Sequence, residues 1–228
     1  MPRVRPGSAQ CIGRYPAVSR LLLADEFFFV AHNDVTGKPR QHARALGLGL
    51  GAALLGEMML LRRITIDRGS VVVIDGHPPG DLLGHIVLDQ LLSEPAALDV
   101  RSWLAYLGQT ARQRVGERLE RFGRVARTPA RRLKRSGTHW IPVSMSDAAM
   151  PTALLRHALK NEHSLDDQTA ILAGLIDAAG LDETVLWGLS HRTLQYRDWN
   201  VATLMTPLRD LIIETGAAVG NTVLTHRA

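Results

Sequence analysis

The side chains with the clearest chemical signal in this sequence are arginines, and they are concentrated in one window. Residues 101–140 carry eleven basic residues and two acids, Glu117 and Glu120, so the window is +9 while the whole 228-residue chain is +5. Guanidinium groups donate paired hydrogen bonds that match phosphate oxygens. The window therefore predicts binding to phosphates, whether of lipid, nucleic acid or an acidic partner.

No other set of side chains forms a catalytic pattern. The glycine run at 47–51 lies in a helical pattern and does not follow a strand, as a dinucleotide-binding loop requires. His77 stands near two aspartates in a Gly/Pro loop, but without the spacing typical of metal ligands. The single cysteine, Cys11, excludes an internal disulfide and a cysteine-based zinc site. We therefore expect a non-enzymatic protein with no cofactor and no bound metal.

Two apolar segments are expected to form the core that positions the arginines. Residues 20–31 are predicted to form a buried helix, and residues 41–62 the central core helix. The longest apolar run has sixteen residues, is interrupted by Glu57, and is shorter than the ~20 residues of a membrane span. No secretory signal is visible in the first twenty residues. We expect a soluble or peripheral protein in which Glu57 pairs with a core arginine such as Arg62 or Arg63.

The rest of the chain predicts further helices and two hairpins. Their expected positions are a hairpin at 63–74, a helix capped by Asp81, helices at 100–107 and 112–122 with Gly123 after the second, a basic-tipped hairpin at 124–143, a helix with Pro151 in its first turn, a helix capped by Ser164, and helices at 183–189, 191–199 and 206–224. The fold class is mainly α, a compact single-domain helical globule around a central apolar helix, with two small β-hairpins, one basic and protruding. We expect residues 1–18 to form a flexible leader and 19–228 the domain.

The basic window supports three binding hypotheses. In the first, residues 112–140 form a winged-helix-like unit, with a recognition helix and a basic wing that contact nucleic acid. The cations of that unit would be Arg112, Arg114 and Arg118 on the helix and Arg131, Arg132 and Arg135 in the wing.

In the second hypothesis, the hairpin lies on a membrane surface. Its cations Arg131, Arg132, Lys134 and Arg135 would each contribute about 1 kcal/mol near anionic lipid. Leu133 and Trp140 would anchor in the headgroup region. In the third hypothesis, the hairpin binds a protein partner or a second copy of the chain. The window has a net charge of +9 and the rest of the chain a net charge of −4, so the two parts of the sequence attract each other's counterparts.

The order of several segments resembles that of the Golgi phosphoprotein 3 family and looks like that of a bacterial member. The segments are LLLADEFFFVAHNDVTGKP, GLGAALLGEMMLLRRITI, VLDQLL, VRSWLAYL and RVGERLERFGRV. The resemblance covers about residues 20–225. It implies a compact helical fold with a protruding hairpin, no enzymatic activity, and peripheral binding of phosphatidylinositol 4-phosphate.

The resemblance also implies a phosphate pocket, which in the family is built from a Trp and three Arg. The aligned positions in this chain are His42, Gly51, Gln109 and Arg112. Neighbouring cations are expected to supply charge from shifted positions. These nearby cations are Arg40, Arg44 and Arg114. The lipid-phosphate contacts expected overall are His42, Arg44, Arg112, Arg114, Arg131, Arg132, Lys134 and Arg135. The expected partners are anionic or phosphoinositide headgroups, and the expected location is cytoplasmic, peripheral on the inner face of the membrane.

Overall fold

Ten α-helices and two antiparallel β-hairpins make up the described part of the chain, which confirms the mainly α fold class. The structure, a computed structural model, describes residues 21–94, 96, 98–128 and 139–225. The helices are α1 Leu23–Val30, α2 Ala43–Leu60, α3 Leu82–Ser93, α4 Val100–Gly108, α5 Ala111–Arg121, α6 Met145–Lys160, α7 Asp167–Ala178, α8 Asp182–Val185, α9 His191–Thr203 and α10 Thr206–Thr225. The strands are β1 Ile64–Asp67, β2 Ser70–Val73, β3 Val125–Thr128 and β4 His139–Pro142.

Helix α2 is the centre of the core, as its sequence predicts. It packs against α1, α4, α7 and α10. By length and composition alone α2 is apolar enough to cross a membrane, but 83% of it is buried inside the protein. Two glycines let α2 and α4 approach closely, because a Cβ at Gly47 would lie 2.4 Å from the carbonyl oxygen of Gly108. The glycines that weaken an isolated helix are therefore used here for helix packing.

A buried ionic network ties α5 to the core. The guanidinium of Arg118 is fully buried and donates to Asp25 at 2.9 Å, to both carboxylate oxygens of Glu57 at 2.9 and 3.0 Å, and to Asp81 at 3.1 Å. The expected pairing of Glu57 with Arg62 or Arg63 is wrong. The partner comes instead from a helix that lies 61 residues further along the chain.

The two hairpins form where the sequence predicts them. Strand β1 pairs with β2 from Ile64 opposite Val73 to Asp67 opposite Ser70. Strand β3 pairs with β4 from Val125 opposite Pro142. The tip that joins β3 to β4 lies outside the described residues, as does the predicted leader at 1–18.

Two predicted helix starts are wrong because a better cap lies nearby. Helix α6 begins at Met145, where the hydroxyl of Ser144 accepts a hydrogen bond from the backbone N–H of Asp147. Pro151 is therefore inside the helix, although it was expected in the first turn. Helix α7 is capped by Asp166 and not by Ser164, since a carboxylate aligned with the helix N-terminus is the stronger acceptor.

Candidate functional site

Trp140 holds the second hairpin against the body of the protein. Its indole is only 2% exposed and packs edge-on to Phe28, with ring centroids 6.2 Å apart. Position 116 must be glycine for this contact, because a Cβ there would lie 2.6 Å from the indole ring. Trp140 is thus a core residue, and its expected role as a membrane anchor is wrong in this structure.

Arg112 lies over this aromatic core without an acidic partner. Its guanidinium carbon is 6.0 Å from the centre of the Trp140 ring, and its Nε donates to Nε2 of His32 at 3.3 Å. Its Nη2 is enclosed and makes no hydrogen bond. Burial lowers the pKa of Arg112, because desolvation disfavours the charged form. No described carboxylate pairs with this cation.

His32 is the neutral centre of the same group of side chains. Its ring stacks on Phe28 and is 2% exposed, and its Nδ1 donates to the Phe28 carbonyl at 2.7 Å. Burial, with smaller contributions from the charges of Arg112, His139 and Arg40, lowers the pKa of His32 to about 4, although its hydrogen bond to the Phe28 carbonyl opposes the shift. A neutral ring explains how Nε2 can accept from Arg112. We call His32, Arg40, Arg112 and His139 the His32 cluster.

The remaining described contacts of the expected pocket lie at two other places. Arg44 lines an open cleft of about 670 Å³ together with Arg101 and Gln109. His42 caps α2, since its Nδ1 accepts from the backbone N–H of Arg44 at 3.4 Å. Arg114 donates to the side-chain oxygen of Gln90, on α3, at 3.3 Å. Arg112 and Arg40 thus both contact His32, whereas Arg44 and Gln109 line the open cleft.

Gly51 is buried in the crossing of α2 and α4, where a Cβ would lie 3.3 Å from the backbone nitrogen of Gly108. That position therefore serves helix packing in this chain. The expected contacts Arg131, Arg132, Leu133, Lys134 and Arg135 lie outside the described residues.

An exposed apolar patch at the base of the second hairpin was missed in the sequence. Phe122, Val143 and Met145 are 67%, 65% and 57% exposed, respectively. The backbone N–H of Val143 bonds the carbonyl oxygen of Arg124 at 3.0 Å, which brings the end of α5 beside the start of α6. We call these three residues the basal patch. The sequence signal available was the position of Phe122 at the end of a predicted helix and of Val143 at the end of the predicted hairpin.

Helix α5 packs in a way that disfavours the winged-helix hypothesis. Its inner face, with Val115, Arg118 and Leu119 fully buried, lies against α1 and α2. The face left at the surface carries the acids Glu117 and Glu120, which the phosphates that flank a DNA groove would repel. Arg118 in particular is wrong as a phosphate contact, because its donors are all occupied by carboxylates.

The described residues contain no group of three His, Cys, Asp or Glu side chains that could hold a metal ion. Near the loop considered above, His77 bonds Asp75 at 2.5 Å, while Asp81 caps α3 and pairs with Arg118. His77 and Asp75 therefore form one structural contact and Asp81 another, and the three side chains do not converge on one point.

Comparison with known families gives one match over most of the chain. A sequence model described as Golgi phosphoprotein 3 (GPP34) matches residues 23–213. Among curated proteins, none matches the sequence. The matched span begins at α1 and ends within α10, so it includes the core, both hairpins and the His32 cluster.

Proposed function

Since the chain belongs to the Golgi phosphoprotein 3 family, we propose that it is a non-enzymatic peripheral protein that binds anionic lipid through the His32 cluster. The preferred headgroup on this proposal is phosphatidylinositol 4-phosphate. The site of action is the inner, cytoplasmic face of a membrane. Family membership supports a binding role, and the residues around Arg112 give the proposal its chemistry.

The observation that carries the proposal is the absence of any described acidic partner for Arg112. A half-buried guanidinium without a counter-charge is costly, and an arriving phosphate supplies both charge and hydrogen-bond acceptors. Arg40 adds a second cation on the opposite side of His32, where its Nε donates to the His32 carbonyl oxygen at 3.0 Å. Its pairing with Asp34 is long, at 3.7 Å, so an incoming phosphate can compete for it.

The basal patch supports a membrane as the source of the phosphate. Exposed Phe, Val and Met side chains beside cationic residues suit the boundary between headgroups and acyl chains. Arg121, the last residue of α5, is exposed next to Phe122. A soluble phosphate ligand would leave this patch unexplained.

The test is co-flotation of the purified protein with three kinds of liposome, each at low and physiological salt. The vesicles contain neutral lipid, generic anionic lipid, or phosphatidylinositol 4-phosphate at matched total charge. We expect preference for the phosphoinositide at matched charge. We also expect the double variant Arg40→Gln, Arg112→Gln to lose that preference.

The matched control is the double variant Arg68→Gln, Arg192→Gln, which removes two exposed cations outside the cluster. Arg68 lies in the first hairpin turn, and Arg192 is 81% exposed on α9. Equal, salt-sensitive binding to both anionic vesicles would reduce the proposal to a general basic surface. No flotation at low salt would overturn it.

A further inference from the structure

A further cavity opens at the point where the described part of the chain begins. It has a volume of about 240 Å³ and lies between the start of α1, the end of α2 and the loop before α3. Leu22 and Leu23 form part of its wall, and Gln168, another lining residue, donates to the carbonyl oxygen of Leu21 at 2.9 Å. The residues that precede Leu21 therefore start beside this cavity.

The cavity is mostly apolar, and its charged lining residues are both acids. The apolar side chains of the wall are Leu22, Leu23, Met58, Leu60, Leu61 and Pro79. The acids are Glu57 and Asp81, which belong to the buried ionic network. None of the lining residues belongs to the His32 cluster or to the basal patch.

The ionic network behind this wall has an excess of negative charge. One guanidinium, that of Arg118, pairs with the three carboxyl groups of Asp25, Glu57 and Asp81. Three negative charges and one positive charge sum to −2, or to −1 when Asp25 is protonated. Burial raises the pKa of Asp25 to about 7, so both forms are populated near neutral pH. The network lacks a cation in either form.

Asp81 also presents an acceptor that the described residues do not use. Both of its hydrogen bonds, from the backbone N–H of Gly84 at 2.7 Å and from Nη1 of Arg118 at 3.1 Å, are made to Oδ2. Its side chain is 20% exposed, whereas those of Asp25 and Glu57 are enclosed. A guanidinium that entered the cavity would therefore meet the Oδ1 atom of Asp81 and an uncompensated negative charge.

Residues 1–20 of the same chain have the composition that this cavity requires. They include no acid, and their cations are Arg3, Arg5, Arg14 and Arg20. Ile12 and Arg14 are two residues apart, so their side chains lie on the same side of an extended segment. Arg14 is seven residues before Leu21, which allows a reach of roughly 25 Å. This reach is ample for the segment to fold back over a cavity that begins at Leu22.

From these observations we propose that residues 12–14 dock in this cavity, with the guanidinium of Arg14 on Asp81 and the side chain of Ile12 against the apolar wall. Arg14 supplies the positive charge that the ionic network lacks. Ile12 removes apolar surface from water on both sides of the contact. The segment expected to form a flexible leader is then held against the junction of α1, α2 and α3.

Cys11, the only cysteine of the chain, is a probe for this contact. It adjoins the docked residues, and a disulfide forms only when two Cα atoms come within about 7 Å. The partner is Gly80→Cys at the exposed rim of the cavity, where an added Cβ meets nothing within 4 Å. The control is Gly220→Cys on α10, where an added Cβ is equally unhindered.

Each full-length variant is oxidised at low protein concentration, and mass spectrometry measures the rate at which the intramolecular disulfide forms. Rates are divided by those in urea, which corrects for differences in thiol reactivity. We expect Gly80→Cys to form its disulfide about tenfold or more faster than Gly220→Cys, because docking raises the effective concentration of the two thiols. Adding Arg14→Gln or Ile12→Ser should remove most of this difference. Adding Arg3→Gln, which removes a cation outside the docked residues, should leave it unchanged.

Equal rates for Gly80→Cys and Gly220→Cys would overturn the proposal. So would a difference that neither Arg14→Gln nor Ile12→Ser reduces. Disulfides between two chains would place the segment on a second copy and would also overturn it. The assay contains no lipid, so its result is separate from that of the flotation experiment.

Discussion

Arg118 is the residue on which the buried ionic network depends. It joins α1, α2 and the start of α3 through three carboxylates and is itself on α5. Removing one member of such a buried set leaves a charge without a partner. The sequence suggests that Glu57 needs a cation, but it cannot name Arg118, because the partners lie between 37 and 93 residues away along the chain.

Asp25, in the same network, makes the stability of the protein depend on pH. Burial raises the pKa of Asp25 to about 7, although Arg118 opposes that shift. The folded protein therefore binds this proton more tightly than the unfolded chain does, and its stability falls as pH rises through about 7. We expect the free energy of unfolding of the unaltered chain, minus that of Asp25→Asn, to decrease as the pH is raised from 5 to 8.5. Urea titrations at several pH values measure it. A difference that stays constant over that range would contradict the assignment.

At the scale of elements, the crossing of α2 and α4 depends on glycine. At Gly47 the better helix propensity of alanine, worth about 1 kcal/mol, competes with a collision at 2.4 Å against the Gly108 backbone. We expect the steric clash to cost more than the gain in helix propensity, so that Gly47→Ala lowers the free energy of unfolding by roughly 1–3 kcal/mol.

Gly220, in α10, is the matched control for this substitution, since a Cβ there meets nothing within 4 Å. Gly220→Ala should leave stability unchanged or raise it by up to about 1 kcal/mol. Both values come from chemical denaturation. The interpretation fails if the two substitutions have the same effect.

Elements were predictable where their signals are local. Asp81 caps α3 and Gly123 takes a positive φ of 66° after α5, and both are recognisable from neighbouring residues alone. Trp140 was misjudged because an indole beside basic residues has the same local pattern at a membrane and in a core. Only the glycine at position 116, on another element, distinguishes the two.

For the whole molecule, the net charge of +9 counted over residues 101–140 is larger than the exposed, unpaired positive charge that a partner would contact. Arg118 is internal, Arg127 pairs with Glu117 and Glu120, and Arg124 pairs with Asp147. Among the described arginines of the window, Arg112, Arg114 and Arg121 have no carboxylate partner. Membrane binding should therefore depend on the basal patch as well as on charge.

We expect the double variant Val143→Ser, Met145→Ser to reduce partitioning onto anionic liposomes by roughly tenfold or more, because each side chain loses apolar area that would enter the membrane. The free energy of unfolding should change little, since both side chains are more than half exposed. Leu61→Ser with Ile74→Ser is the control, with two exposed apolar residues outside the patch. Equal loss in both double variants would show that the patch has no special role.

The burial of α2 has a consequence for how the protein is made. Helices α4, α7 and α10, which cover α2, follow it along the chain, and α10 ends at residue 225. At synthesis rates of about 5–20 residues per second, this apolar helix emerges from the ribosome roughly ten to thirty seconds before its last cover does. During that interval the nascent chain presents a segment with the hydrophobicity of a membrane span. We therefore expect chains that lack the C-terminal helix to aggregate more readily than the full chain.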